Sequence, residues 1–280
     1  MAPEEGALPP DEGWVTDGEW DWPSAMQAVA ARFRGEDGVF LQFGDSLTIA
    51  APNQRWALAG VGHTDAERAF LAWAHAGTRG NRDGWHLASA RAGPEDEAPR
   101  AHTAGVGCSS RVLLAGGRGL PPLCRMIEEF NPRMALYAVG MSDVIRDVSV
   151  GDYLPAVEAG IDLLEANGTV PILSTLTPSK EKMAQVDAAN AALRVLARAR
   201  RLPLLDFHAE MARRTRNVLD YLQEDGVHLT WDPPEGPVTE DNLRRSGYLL
   251  RCWLTVRKGM EVRERALVPI AAQPRPDGRQ

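Results

Sequence analysis

Three short segments, far apart in the chain, carry side chains that together can activate an alcohol: Phe43-Gly44-Asp45-Ser46-Leu47, Gly140-Met141-Ser142-Asp143 and Asp225-Gly226-Val227-His228. A serine hydroxyl is a weak nucleophile until a base takes its proton, a carboxylate orients that base, and donors receive the developing oxyanion. Ser46 supplies the alcohol. The spacing of Asp225 and His228 lets the carboxylate reach the near ring nitrogen and leaves Nε2 to face a serine. The segment from Gly140 can present donors to a bound carbonyl, the Ser142 hydroxyl among them. Each segment also has a plainer reading. Ser46 can be a helix cap, Asp225-Gly226 a surface turn with His228 exposed, and Gly140 to Asp143 a strand-to-helix turn capped by Asp143.

Such side chains need a frame that brings residues 46 and 228 together. Apolar runs alternate with helical patterns along the chain, the signature of β-α units feeding a parallel sheet. Strands are expected at 39–43, in a weaker run ending near 106, and at 135–139, 170–174 and 202–205. Each is nearly continuous in apolar character, as strands covered on both faces are. Helices are expected at 24–33 with Ser24 as cap, at 121–130, 153–166 and 181–200, and as one long element over 240–268. Ligands meet an open parallel sheet beyond the carboxyl ends of its strands, where both Ser46 and Gly140 fall. A helix beginning at Ser46 would add free N–H groups and a positive end beside the hydroxyl.

The 280 residues read as one domain over 23–268, with flexible tails at 1–22 and 269–280 that are too polar to order themselves. An insertion at about 51–100 carries Trp56, Trp73 and Trp85. These aromatics are expected to form the insertion's own small core, the other reading being a wall for a sugar or acyl group. The net charge of −7 provides no field for a polyanion, which excludes nucleic acid and favours a neutral or cationic small ligand. No run approaches the roughly 20 apolar residues of a bilayer span. No basic-then-apolar leader opens the chain, so it reads as cytoplasmic as printed, or exported if a leader has been trimmed. Nothing in the pattern fixes the oligomeric state. Cys108, Cys124 and Cys252 are odd in number and lack metal spacing, so reduced structural thiols are expected, with no metal and no organic cofactor.

Three further features are set aside. Gly105-Val106-Gly107-Cys108-Ser109-Ser110 looks like a dinucleotide fingerprint, but Ser110 stands where the third glycine or alanine belongs. The arginines at 194, 198, 200, 201, 213, 214 and 216 read as a solvated helix face with a dipole partner at its end. His208, beside Asp206, reads as structural, and His63, His75, His86 and His102 show no ligand spacing.

With these residues together, the chain resembles the SGNH hydrolases, the GDSL-type lipases and esterases, over about residues 38–267, and is most similar to bacterial members. Phe43 to Thr48 resembles the first block of that family and Gly107 the glycine of the second. Asp225-Gly226-Val227-His228-Leu229-Thr230 resembles the last block. The resemblance implies Ser46 as nucleophile, His228 as base and Asp225 as its orienting acid. It implies an oxyanion hole from the N–H groups of Ser46 and Gly107 and from position 142. The implied fold is a three-layer α/β/α sandwich around five parallel strands in flavodoxin-like order. The implied activity is hydrolysis of small or medium carboxylic esters, acetylated carbohydrate included, without cofactor. One departure stands out: the third block of the family is Gly-x-Asn-Asp, and here Ser142 replaces the asparagine. Loss of one oxyanion donor costs on the order of 10²–10³ in turnover. The chain is therefore expected to be an esterase, the alternative being a weak or inactive binding protein on the same fold.

Overall fold

A computed structural model of the chain describes residue 14 and residues 19–74 and 102–267. Four of the apolar runs become parallel strands: β1 (Phe40–Gly44), β2 (Met134–Ala138), β3 (Val170–Ser174) and the two-residue β4 (Leu204–Leu205). They lie in the order β1-β2-β3-β4, with Phe43 opposite Tyr137 and Tyr137 opposite Leu173. β1 and β3 are buried along their whole length, which explains their unbroken apolar sequence.

Twelve helices surround the sheet in the described residues. Before and after β1 come α1 (Trp22–Ala30), α2 (Ser46–Ile49), α3 (Pro52–Ala59) and α4 (Asp65–Ala74). Then come α5 (Ser110–Ala115) and α6 (Leu123–Phe130), and after β2, α7 (Met141–Ile145) and α8 (Val150–Asn167). The last four are α9 (Met183–Arg200), α10 (Phe207–Arg214), α11 (Glu240–Arg245) and α12 (Gly247–Ala266). Helices α1, α3, α4 and α10 pack around α12 on one face, and α5, α6 and α9 gather around α8 on the other. The result is the three-layer α/β/α sandwich. Its core is continuous through both layers, and each large apolar side chain buried there contributes about 1.5–3 kcal/mol.

The sheet has four strands where five are expected. The run ending near Val106 contributes a single parallel bridge, Gly44 to Ala104, with Gly105 N–H donating to Gly44 O at 3.2 Å. The reason is local: Cys108 N–H turns back to Gly105 O at 3.0 Å, and Val106 is 66% exposed, so the chain leaves the sheet at once. The bridge lies on the free edge of β1, where a flavodoxin-like order places that strand.

The long helix expected over 240–268 is broken at Ser246, whose extended backbone ends α11 and whose hydroxyl accepts Leu249 N–H to cap α12. α1 begins earlier than expected, because Asp21 rather than Ser24 is its cap and accepts Ser24 N–H at 3.2 Å. Trp22 is fully buried, and Trp20 donates Nε1 to Leu202 O at 2.9 Å, so the inner end of the expected N-terminal tail is part of the packed structure. The described part of the expected insertion is α3 and α4, both packed on α12, and Trp56 lies in the main core rather than in a separate one. The rest of that insertion, Trp85 included, and the C-terminal tail lie outside the described residues. No helix among the described residues is long and apolar enough to cross a membrane.

Candidate active site

The arm that carries Ser46, the candidate nucleophile, starts at the end of β1. A Cβ on Gly44 would stand 2.1 Å from Thr48 Oγ1 and 2.8 Å from Ala138 O, so only glycine permits this tight turn. Asp45 caps α2 by accepting Leu47 N–H at 3.1 Å, and Ser46 is the first helical residue. Burial pushes the Asp45 carboxyl above the usual carboxylate range, opposed by the charge of Arg251 and by the N–H groups of Leu47 and Ser142. Arg251, buried on α12, donates to Thr48 Oγ1 at 2.9 Å and secures the same turn from behind.

The acid–base arm is a turn closed by its own backbone. Leu222 and Leu229 form an antiparallel bridge, Gln223 N–H donates to His228 O at 2.8 Å, and Thr230 N–H to Tyr221 O at 2.8 Å. The break before α12 completes the anchor: Gly247 N–H donates to Thr230 Oγ1 at 3.0 Å and Tyr248 N–H to Thr230 O at 3.0 Å. Asp225 Oδ1 accepts the N–H groups of Val227 and His228 at 3.0 and 2.9 Å. Its Oδ2 lies 2.7 Å from His228 Nδ1, and His228 Nε2 lies 3.1 Å from Ser46 Oγ. Burial acts to raise the Asp225 carboxyl, but the two N–H groups and the ring outweigh it and hold it below its ordinary value. An ionised carboxylate only accepts, so it fixes the proton on Nδ1 and leaves Nε2 to take one from the serine.

The donor arm joins two loops. Gly107 sits at φ +65, a left-handed conformation that glycine adopts without cost. The N–H groups of Ser46 and Gly107 and the Ser142 hydroxyl find no acceptor among the described residues. Ser142 N–H reaches the Asp45 carboxylate, which draws position 142 to the nucleophile turn. Asp143 is not a helix cap: its buried carboxylate accepts Ser110 N–H at 2.8 Å and Ser110 Oγ at 3.0 Å, tying the Gly107 loop to α7. Burial raises the Asp143 carboxyl, opposed by the two Ser110 donors and by Arg146. Arg146 reinforces the join by donating to Gly107 O at 2.9 Å and to Ser142 O at 3.4 Å.

The structure thus brings Ser46, His228 and Asp225 into one relay and links the loops of Gly107 and Ser142 to it. Arg146 and Arg251 also build the site and are not picked out by sequence reasoning, while Asp143 and Thr230, named there within their segments, take roles that it does not give them. The features set aside lie elsewhere. Asp206 is bound by Arg194 at 2.6 and 2.9 Å and by Thr175 at 3.1 Å, while burial lowers the His208 ring below its ordinary value. Most of the arginine cluster is ion-paired rather than merely solvated: Arg198 meets Glu19, Arg200 meets Asp162 and Glu165, and Arg213 and Arg214 share Glu210. Cys108 is buried beside the Gly107 loop with its thiol pushed up to about 12, which makes it inert as a nucleophile. Among the described residues no group of three His, Cys, Asp or Glu is placed to hold a metal ion.

Comparison with known proteins identifies the family and the fold. The family model of GDSL-like lipases and acylhydrolases matches residues 42–232, from β1 to just past His228. No curated protein matches the chain. Among solved structures, the chain is similar to a carbohydrate esterase family 3 protein from Talaromyces cellulolyticus. The two share 14% identity, with 80% of this chain and 98% of that chain covered at a TM-score of 0.55. It is also similar to a catalytic mutant of an acetylxylan esterase from Geobacillus stearothermophilus, at 14% identity, 81% and 95% coverage and a TM-score of 0.50. At such identities the likeness shows the fold alone.

Proposed function

The chain belongs to the GDSL-like lipase/acylhydrolase family and is a carboxylic ester hydrolase, and on that premise we propose that it works through a Ser46–His228–Asp225 triad on small or medium esters, acetylated sugars included. Ser46 Oγ attacks the ester carbonyl while His228 Nε2 takes its proton, and Asp225 holds the ring in the required tautomer. The oxyanion is received by Ser46 N–H, Gly107 N–H and the Ser142 hydroxyl. His228 then protonates the leaving alcohol. A water molecule enters along the same path, loses its proton to His228 and releases the acid from Ser46. The observation that carries this reading is the unbroken relay of 2.7 Å from carboxylate to ring and 3.1 Å from ring to hydroxyl.

The test is hydrolysis of a series of short-chain para-nitrophenyl esters by the purified protein and by its Ser46→Ala variant. Turnover that disappears in the variant supports the triad; equal rates in both proteins overturn it. Ser142 favours a second reading, in which the site binds its ligand and turns it over slowly. A hydroxyl reaches less far than the amide that the family places there, and its proton is free to point elsewhere.

A further inference from the structure

We propose that Arg118 and Arg146 form an anion-recognition site beside Gly107, so that the preferred esters carry a carboxylate close to the scissile bond. The inference rests on the reading of Ser46 as nucleophile and names the substrate class for that site. The net charge of −7 points to a neutral or cationic ligand, but the groups flanking the site point the other way. Arg146 follows α7, whereas Arg118 projects from a tight turn between α5 and α6, closed by reciprocal hydrogen bonds of Gly117 and Leu120 at 2.9 and 3.0 Å. Two separate elements therefore deliver cations to one place. A Cβ on Gly107 would meet Arg146 Nη2 at 2.8 Å and Arg118 Nη1 at 3.0 Å, so both guanidinium groups rest against the same glycine.

The two arginines are not equally engaged. Arg146 donates to the neutral carbonyls of Gly107 and Ser142, and the Asp143 charge that acts on it belongs to a carboxylate already holding Ser110. Arg118 is exposed and makes no hydrogen bond or ion pair among the described residues. It also sits at φ +53, a left-handed conformation that residues other than glycine seldom adopt. Two like charges held together without a shared counter-ion repel, and an anion placed between them relieves that repulsion. A carboxylate suits guanidinium groups in particular, because each offers paired N–H donors in a planar fork. Val106, 66% exposed on the same loop, gives an apolar flank for the few carbons between ester and charge.

Two ester pairs locate the charge. The para-nitrophenyl ester of succinate against its methyl-capped form places the carboxylate on the acyl side, and para-acetoxybenzoate against para-acetoxybenzamide places it on the alcohol side. In at least one pair, Arg118→Ala lowers the charged-to-neutral ratio of kcat/KM by about fivefold to tenfold, as expected for one charge-assisted contact. Arg118→Lys recovers part of the ratio, and added salt shrinks it. Ratios unchanged within about twofold in both pairs overturn the proposal. A binding arm keeps it separable from the hydrolase reading. In a Ser46→Ala background, calorimetry measures the uncleavable amides succinanilate and para-acetamidobenzoate, with and without Arg118→Ala. Binding that depends on Arg118 supports the anion site even where wild-type protein hydrolyses no ester. Absent binding, or equal binding in both proteins, overturns it.

Discussion

Ser46 and His228 approach to 3.1 Å, yet the carboxylates behind them live in opposite surroundings. Asp45, behind the serine, is 2% exposed and linked through Ser142 N–H to the third loop, with Arg251 behind the turn. Asp225, behind the histidine, leaves 50% of its side chain in water and is held by the backbone of its own turn. Burial raises the first carboxyl, whereas local N–H donors lower the second. The difference separates two tasks. The proposed nucleophile and its donors would need fixed positions, and a buried polar network supplies them at the expense of desolvating charged groups. The acid–base pair needs an ionised carboxylate and a ring that exchanges protons with solvent, and an exposed turn supplies both.

If that division is right, damage on the two sides separates activity from stability. The largest effect belongs to Asp225→Asn, which removes the tautomer control and should lower kcat by about 10²–10⁴ while the melting temperature stays nearly constant. A matching fall in melting temperature would erase the contrast between the two arms. Next comes Asp143→Ala. It strands the Ser110 N–H and hydroxyl in the interior, so urea unfolding should show a loss of about 1–3 kcal/mol, with turnover falling as the Gly107 loop loosens. Unaltered stability would mean that the donor arm is not secured from within.

Ser142→Asn sharpens the comparison from the other direction, because it restores an amide donor on the fixed arm. Steady-state kinetics should show kcat rising about tenfold, and a fall of that size would mean that position 142 does not face the oxyanion.

The smallest effect is in the pH dependence of stability. The Asp225 carboxyl is lowered, so its contribution to stability is present above the ordinary value of 3.8 and is lost only as pH falls through its lower folded value. The Asp45 carboxyl is raised, so its contribution is full below 3.8 and is lost as pH rises through its higher folded value. On acidification from neutrality, wild-type protein should therefore gain stability relative to Asp45→Asn before its margin over Asp225→Asn begins to shrink. Unfolding titrations across that range that show the reverse order would invert the assignment of the two carboxylates.

How much of this was readable in advance follows the same local-versus-distant division. β1, β2 and β3 and the helices α8 and α9 are legible because continuous apolar runs and helical periodicity are local patterns. Asp225 and His228 are legible as a pair because their contact spans three residues. The bond from Asp143 to Ser110 spans 33 residues and that from Arg251 to Thr48 spans 203, so no window of sequence contains them. The break at Ser246 was hidden for a similar reason, since its purpose is to aim the first N–H groups of α12 at Thr230 in another segment. The weak fifth strand failed because the chain turns back after one bridge, Cys108 N–H onto Gly105 O, with Gly107 in the left-handed region.

In the proposed triad His228 activates Ser46 across that 3.1 Å contact. Covalent labelling tests it most directly: the protein is exposed to a para-nitrophenyl alkylphosphonate, released nitrophenolate is followed, and the modified peptide is identified by mass spectrometry. One adduct per chain is expected, on Ser46, forming far more slowly in His228→Ala. An adduct on another residue, or the same labelling rate without the histidine, would contradict it.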